Sequence, residues 1–373
     1  MDKLIHKLNT RHEEDSFRTL PKQNNLIDFC SNDYLGLARN PELFQLIEKR
    51  FKQADFQNKL GATGSRLISG NCIFYEQLEE KLRVFFKGES ALIFNSGYAA
   101  NTGVLSSVPQ KGDTILYDEL CHSSIKDGIR LSFAEKFAFR HNDITDLEKK
   151  IKNAQGTIFI VIESIYSMDG DEASIIEITN IAKKYQAYII VDEAHSTGVY
   201  GPMGEGLCVD LNIEKDICIR IHTFGKGMGV HGAVVICSRM VKDFLINFSR
   251  PFIYATALPF HSLVSIDCAF EFLQENIYLK LQLENNIALF KSVCNSEVLK
   301  MDSDSPIQVI IIGDVKETKK ISNDLQNNRL WVKPILSPTV KKGTERLRIC
   351  LHQFNSKEDI LLLSNILNSN LKG

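Results

Sequence analysis

Ala187-Tyr-Ile-Ile-Val-Asp-Glu-Ala-His195 is the stretch on which the fold turns. Its first five residues have the length and near-continuous apolar character of a strand covered on both faces, as strands are in layered α/β proteins. The run stops at Asp192, and a carboxylate directly after such a strand is costly to bury unless a cation or a proton meets it. Working outward, the amphipathic segment Ile175–Tyr185 and the apolar run Thr157–Ile162 lie upstream; Ile217–Thr223 and Ala233–Cys237 lie downstream. Ala91–Phe94, Thr114–Tyr117 and the helical stretch Ile144–Asn153 extend the same alternation. Short buried strands joined by helical crossovers predict an α/β architecture, a large domain with a mostly parallel central sheet between helices.

The rhythm breaks near Pro251–Pro259. A helical region from Phe260 to about Asn295 follows, then strand Ile307–Ile312, helix Lys316–Asn327, strands Trp331–Ile335 and Arg346–Leu351, and helix Lys357–Leu367, a smaller α+β C-terminal domain. The spacing predicts an N-terminal arm over residues 1–40, a large domain over 41–260, and a small domain over 261–373 packed with the arm. Helices are also expected over Pro41–Lys52 and Phe74–Phe86.

Composition narrows the function. With 44% hydrophobic and 24% charged residues in 373, the chain has the balance of a globular protein. Its formal charge of −2 gives no basic field for nucleic acid. No run approaches the roughly 20 apolar residues of a membrane span, and Met1–Arg11 lacks the apolar centre of a secretory signal, so no membrane partner and a cytoplasmic location are expected. The nine cysteines are scattered singly without a C-x-x-C pair and read as reduced thiols. No H-E-x-x-H or zinc spacing occurs among the nine histidines, so no metal is expected.

Gly227-Met-Gly-Val-His-Gly232 matches the dinucleotide fingerprint, but a strand follows it where a helix must open. Gly225-Lys226-Gly227 lacks the Ser or Thr of a phosphate loop. The stronger signals lie at strand ends. Asn95-Ser-Gly-Tyr-Ala-Ala-Asn101 is a small-residue turn into a helix, where free amides attract an anion. Asp192 ends the next informative strand, and Lys226 follows strand Ile217–Thr223, 34 residues on. An anion-binding turn, a strand-end carboxylate and a strand-end amine are the three handles of pyridoxal 5′-phosphate: phosphate pocket, partner for the ring nitrogen, and amine for its aldehyde.

These residues resemble the α-oxoamine synthases, fold-type-I pyridoxal-phosphate enzymes that condense an amino acid with an acyl thioester and release carbon dioxide. The resemblance spans nearly the whole chain through Ser31–Gly36, Gly64–Gly70, Asn95–Asn101, Ser167–Gly170, Val191–His195, Thr223–Gly227, Pro338–Val340 and Arg346–Arg348. It implies that Lys226 is the Schiff-base lysine, Asp192 the pyridinium partner, His122 the histidine stacked over the ring, and His195 a neighbour of the phenolic oxygen. It further implies Ser167 and Thr223 as cofactor hydrogen-bond donors and the Gly97 and Tyr98 backbone as a cofactor hold. Arg348 matches the arginine that forks onto the substrate carboxylate, with Arg346 as the competing assignment. Asn32, Arg18 and Thr339 match substrate contacts. The family places its active site between two subunits, which implies a homodimer. Tyr98, Glu193 and Ser196 depart from commoner family residues at positions without a core chemical role. Ser65–Asn71, Arg250–Pro259 and Ser305–Gln308 resemble the biotin-pathway members, which join L-alanine to a pimeloyl thioester carried by coenzyme A or a carrier protein. Relatives using glycine with an acetyl group, or serine with a long acyl chain, are the alternatives; a non-catalytic scaffold and a nicotinamide-dependent oxidoreductase are the readings from other classes.

Overall fold

The computed structural model describes residues 1–20, 25–57, 59–295 and 303–371. It divides into two compact units. The larger comprises Asn32–Ser167 and Glu172–Leu281; the smaller comprises Met1–Ser31, Met168–Asp171 and Gln282–Gly373.

The larger unit is built on seven strands: β1 (Ser90–Phe94), β2 (Thr114–Asp118), β3 (Glu135–Phe139), β4 (Ile158–Glu163), β5 (Tyr188–Asp192), β6 (Ile219–Thr223) and β7 (Ala233–Cys237), in the order β1-β7-β6-β5-β4-β2-β3. From β6 to β3 all neighbours are parallel, as double-sided burial predicts. β7 is antiparallel to both β1 and β6. Residues 224–232, which join β6 to β7, are too few for the dozen or more that a parallel crossover needs. Ile160, Ile162, Ile190, Val191, Ile219 and Ile221 are all buried in the sheet, and β6 also buries Arg220, which donates to the Phe86 carbonyl, and His222, which meets the Thr197 hydroxyl. Strand β3 escapes the sequence reading because it is an edge strand whose first three residues are exposed.

Polar groups leave the sheet at its strand ends. In the β4–β5 ladder Glu163 pairs in register with Asp192, so two carboxylates emerge side by side. Helix α1 (Gly97–Ser107) starts two residues after β1, its N-terminus capped by Ser96 Oγ accepting from the Ala99 amide. Helix α2 (Ser123–Leu131) starts after β2, capped by His122, whose Nδ1 accepts from the Ser124 amide.

The smaller unit holds a three-stranded antiparallel sheet of β8 (Ile307–Ile311), β9 (Lys333–Ile335) and β10 (Arg346–Cys350), with β10 central. The expected single strand over Trp331–Ile335 is broken. Leu330–Trp331 pairs instead with Ile27–Asp28, and the chain changes partner at Val332, just before Pro334, whose nitrogen has no hydrogen to give a ladder. The polar N-terminal stretch contains a helix, Asp2–Glu13, that buries none of its residues. Among the described residues no helix is long and apolar enough to cross a membrane.

Candidate active site

A cavity of about 310 Å³ opens at the carboxyl ends of β4, β5 and β6, within the larger unit. That volume lies at the small end of the range for small-molecule sites. Asn32, Gly97, Tyr98, His122, Asp192, Thr223 and Lys226 line it, as do Asn101, Ser124 and Glu163.

Its inner wall is a hydrogen-bonded chain. Asp192, 7% exposed, accepts from the Ala194 amide at 2.9 Å and from Asn101 Nδ2 at 2.6 Å. The second Nδ2 hydrogen of Asn101 goes to Ser124 Oγ at 3.0 Å, and Ser124 Oγ lies 2.8 Å from His122 Nδ1. Helices α1 and α2 are thereby tied to the strand-end carboxylate, and the imidazole of His122 is fixed at the cavity wall. Burial, reinforced by the charge of Lys226, holds the His122 pKa below its usual value, which favours the neutral ring.

Glu163 is wholly buried and accepts from the His122 backbone amide. Burial first, and the neighbouring charge of Asp192 second, push its carboxyl up to about 8. Two donors serve Asp192, while Glu163 keeps its proton at neutral pH. Below the ordinary carboxylate value of 4.5 both folded and unfolded chains hold that proton. Between 4.5 and about 8 only the folded chain does, so stability falls as pH rises and levels off above about 8. Glu163→Gln removes this group, and its melting temperature is expected to drop less between pH 5 and pH 8 than that of the parent protein. Parallel melting curves for the two proteins test the assignment of the proton to Glu163.

The opposite wall is the start of α1 against the end of β6. A Cβ at Gly97 would lie 3.1 Å from Thr223 Cβ. Glycine therefore keeps open a narrow notch faced by the first-turn amides of Gly97 and Tyr98 and by Thr223, a natural seat for a phosphate. The Tyr98 side chain turns away and donates to Asp127 on α2.

Lys226 Nζ lies 2.9 Å from His195 Nε2, and His195 Nδ1 lies 2.7 Å from the Tyr34 hydroxyl. His195 thus sits behind the lysine rather than in the cavity lining. Ser167, expected as a cofactor donor, is buried but also lies outside that lining. In the smaller unit the structure brings Arg18 Nη2 within 2.8 Å of Thr339 Oγ1. There, too, Arg346 forms a buried ion pair with Asp169, whereas Arg348 Nη1 contacts Cys350 Sγ at 2.8 Å, a weak acceptor. Sequence reasoning missed Tyr34, Asn101, Ser124 and Glu163. Asn101 and Glu163 carried a signal, each a polar group at an otherwise buried face.

Pyridoxal 5′-phosphate fits these residues. A Gly-kept notch at a helix start, an amine and a buried, doubly hydrogen-bonded carboxylate surround one cavity of suitable size. Comparison with known proteins agrees. The model of the family "Aminotransferase class I and II" matches residues 24–361. The 8-amino-7-oxononanoate synthase of Emericella nidulans is 38% identical over 356 residues, covering 90% of this chain and 86% of that protein. The crystal structure of 8-amino-7-oxononanoate synthase from Francisella tularensis superposes with a TM-score of 0.80 at 29% identity, covering 94% of this chain and 99% of that one. A structure of SPT with a PLP internal aldimine superposes with a TM-score of 0.89 at 25% identity, covering 99% and 96%.

Fold and site together define a fold-type-I pyridoxal-phosphate transferase. The chain belongs to the aminotransferase class I and II family and, within it, to the α-oxoamine synthases, where its sequence is most like the 8-amino-7-oxononanoate synthases.

Proposed function

We propose that this protein catalyses the decarboxylative condensation of L-alanine with a pimeloyl thioester, giving 8-amino-7-oxononanoate, carbon dioxide and a free thiol, a step of biotin biosynthesis. The observation that carries this reading is identity of 38% over nearly the whole length of proteins bearing that activity's name, joined to a cavity holding both Lys226 and Asp192. The SPT structure is closer in shape, with a TM-score of 0.89 against 0.80, but rests on 25% identity, so it supports the chemistry and not the serine substrate.

When bound, pyridoxal 5′-phosphate supplies an aldehyde that captures amines and a protonated ring that takes up an electron pair from the substrate α-carbon. The chain's own residues do the rest. The amides of Gly97 and Tyr98 and the hydroxyl of Thr223 hold the phosphate. Asp192, oriented by Ala194 and Asn101, places a fixed negative charge at the ring nitrogen. His122, at the cavity wall, would cover the ring face. Lys226 takes the α-proton of alanine and returns a proton to the product. Arg348 forks onto the alanine carboxylate, with Arg346, which is paired with Asp169, as the competing assignment. Asn32, Arg18 and Thr339 contact the substrates, and Ser167 and His195 complete the cofactor's surroundings. The working form is a cytoplasmic homodimer sharing its active sites, with pimeloyl-CoA or a pimeloyl-carrier protein as acyl donor.

Thiol release by the protein loaded with pyridoxal phosphate tests the proposal. Alanine with pimeloyl-CoA or its carrier-protein ester is expected to turn over faster than glycine with acetyl-CoA or serine with palmitoyl-CoA. A single methyl separates alanine from glycine, so their ratio should be modest, about 10–200-fold. Turnover only with serine and palmitoyl-CoA sinks the reading.

A further inference from the structure

Residues 224–232, between β6 and β7, carry Lys226 and also the run Gly227–Gly232 that mimics a dinucleotide fingerprint. The fold uses this run for a tight return pinned at one residue. The Phe224 amide donates to the Gly232 carbonyl at 2.9 Å, and the Phe224 carbonyl accepts from the Val230 amide at 2.9 Å. Gly232, with a φ of 132°, is held against the core: a Cβ there would lie 3.1 Å from Ile266 Cδ1 and 3.3 Å from Leu258 Cδ1. His231 stands between the two anchored residues. Its backbone is thereby fixed beside Phe224, the residue after Thr223, and it lines the same cavity as Thr223, Gly97 and Tyr98. The side chain is exposed there and makes no hydrogen bond or ion pair with any described residue.

The charges around the cavity say what such a group can meet. A phosphate monoester carries about 1.5 to 2 negative charges near pH 7. The notch of Gly97, Tyr98 and Thr223 offers it amides and a hydroxyl, all of them neutral donors. Among the described residues that line the cavity there is no arginine, and the basic side chains are Lys226, His122 and His231. Two of these have other work. Lys226 receives the cofactor's aldehyde, and His122 Nδ1 accepts from the Ser124 amide at 3.2 Å. His231 is the basic side chain left, and its place next to the Thr223 end of the notch suits an anion. An imidazole presents an N–H in either protonation state, and two when charged.

We propose that His231 is a phosphate-binding residue of the cofactor site, donating a ring N–H to a phosphate oxygen seated in the notch of Gly97 and Thr223. The proposal rests on the reading of that notch as the phosphate seat and adds to it the one side chain able to bring positive charge there. An anionic group of the acyl thioester offers the same chemistry, so the test separates the two sources.

Cofactor-free protein is titrated with pyridoxal 5′-phosphate and, separately, with pyridoxal, each followed by the absorbance of the bound ligand. Both react with Lys226 through the same aldehyde, so the ratio of their dissociation constants isolates the phosphate. His231→Ala is expected to raise the Kd for pyridoxal 5′-phosphate about tenfold or more, the scale of a hydrogen bond to a charged group, and to leave that for pyridoxal within about twofold. With the variant saturated in cofactor, KM for pimeloyl-CoA should also stay within about twofold of the parent. Because His231 is exposed, the variant should fold, and circular dichroism checks that it does. Equal weakening of both ligands, or an unchanged Kd for pyridoxal 5′-phosphate, overturns the proposal. So does a raised KM for pimeloyl-CoA beside an unchanged cofactor Kd, which would assign His231 to the substrate's anion. A parent protein that binds pyridoxal as tightly as its phosphate defeats the phosphate seat itself, whereas a parental preference that survives His231→Ala defeats only the role of His231.

Discussion

Lys226→Ala is expected to lower kcat by at least about 10⁴-fold, the upper end of what a general acid–base group contributes, because the same side chain also holds the cofactor's aldehyde. Lys226 lines the cavity, and its amine touches His195, so no other described lysine shares both positions. The variant should fold: a lysine-to-alanine change here opens space in a cavity wall, and Asp192 keeps its Ala194 and Asn101 donors. Its melting temperature without cofactor is expected to stay within a few degrees of the parent. Borohydride reduction of the loaded parent protein, followed by peptide mapping, should place the pyridoxyl group on the peptide containing Lys226, and Lys226→Ala should retain none after dialysis. A label on a different lysine, or turnover within tenfold of the parent, contradicts the assignment.

How much of this site is legible in the chain alone? The strands that carry it are readable because double-sided burial writes an apolar run with no alternation, as in β5 and β7. Asp192 and Lys226 are readable because they interrupt or follow such runs at the end where open sheets bind ligands. Strand β3 is not, since an exposed edge strand such as Glu135–Phe139 lacks that run. The helix Ser123–Leu131 is hidden by its short length and its unusual histidine cap. Tyr34, Asn101 and Ser124 act through partners 161, 91 and 23 residues away; nothing local in the chain announces such meetings. Glu163 illustrates the limit most sharply. Its charge state depends on register with Asp192 across two strands, and register becomes visible only when the sheet is assembled.

That register makes Asp192→Asn informative at two places at once. The substitution keeps the shape of the side chain and removes its charge. A unit charge pair at about 4 Å and an effective dielectric near 20 amounts to about 4 kcal/mol, which corresponds to about three decades of rate if fully expressed in the transition state. Ground and transition states share part of it, so a fall in kcat of about 10²–10³-fold is expected, with weaker retention of pyridoxal phosphate. The second effect needs no turnover. Asp192 is the principal charge holding the Glu163 carboxyl up, so in Asp192→Asn that carboxyl should titrate at lower pH, although burial still keeps it above the ordinary range. Because a proton held only by the folded chain makes stability fall with rising pH, the fall should end at lower pH in Asp192→Asn than in the parent, and the total loss between pH 5 and pH 8 should shrink. Adding Glu163→Gln to Asp192→Asn should then change the pH dependence less than Glu163→Gln does alone. Equal changes in the two backgrounds would mean that the two carboxylates titrate independently, and that the end of β5 does not set the charge of the end of β4.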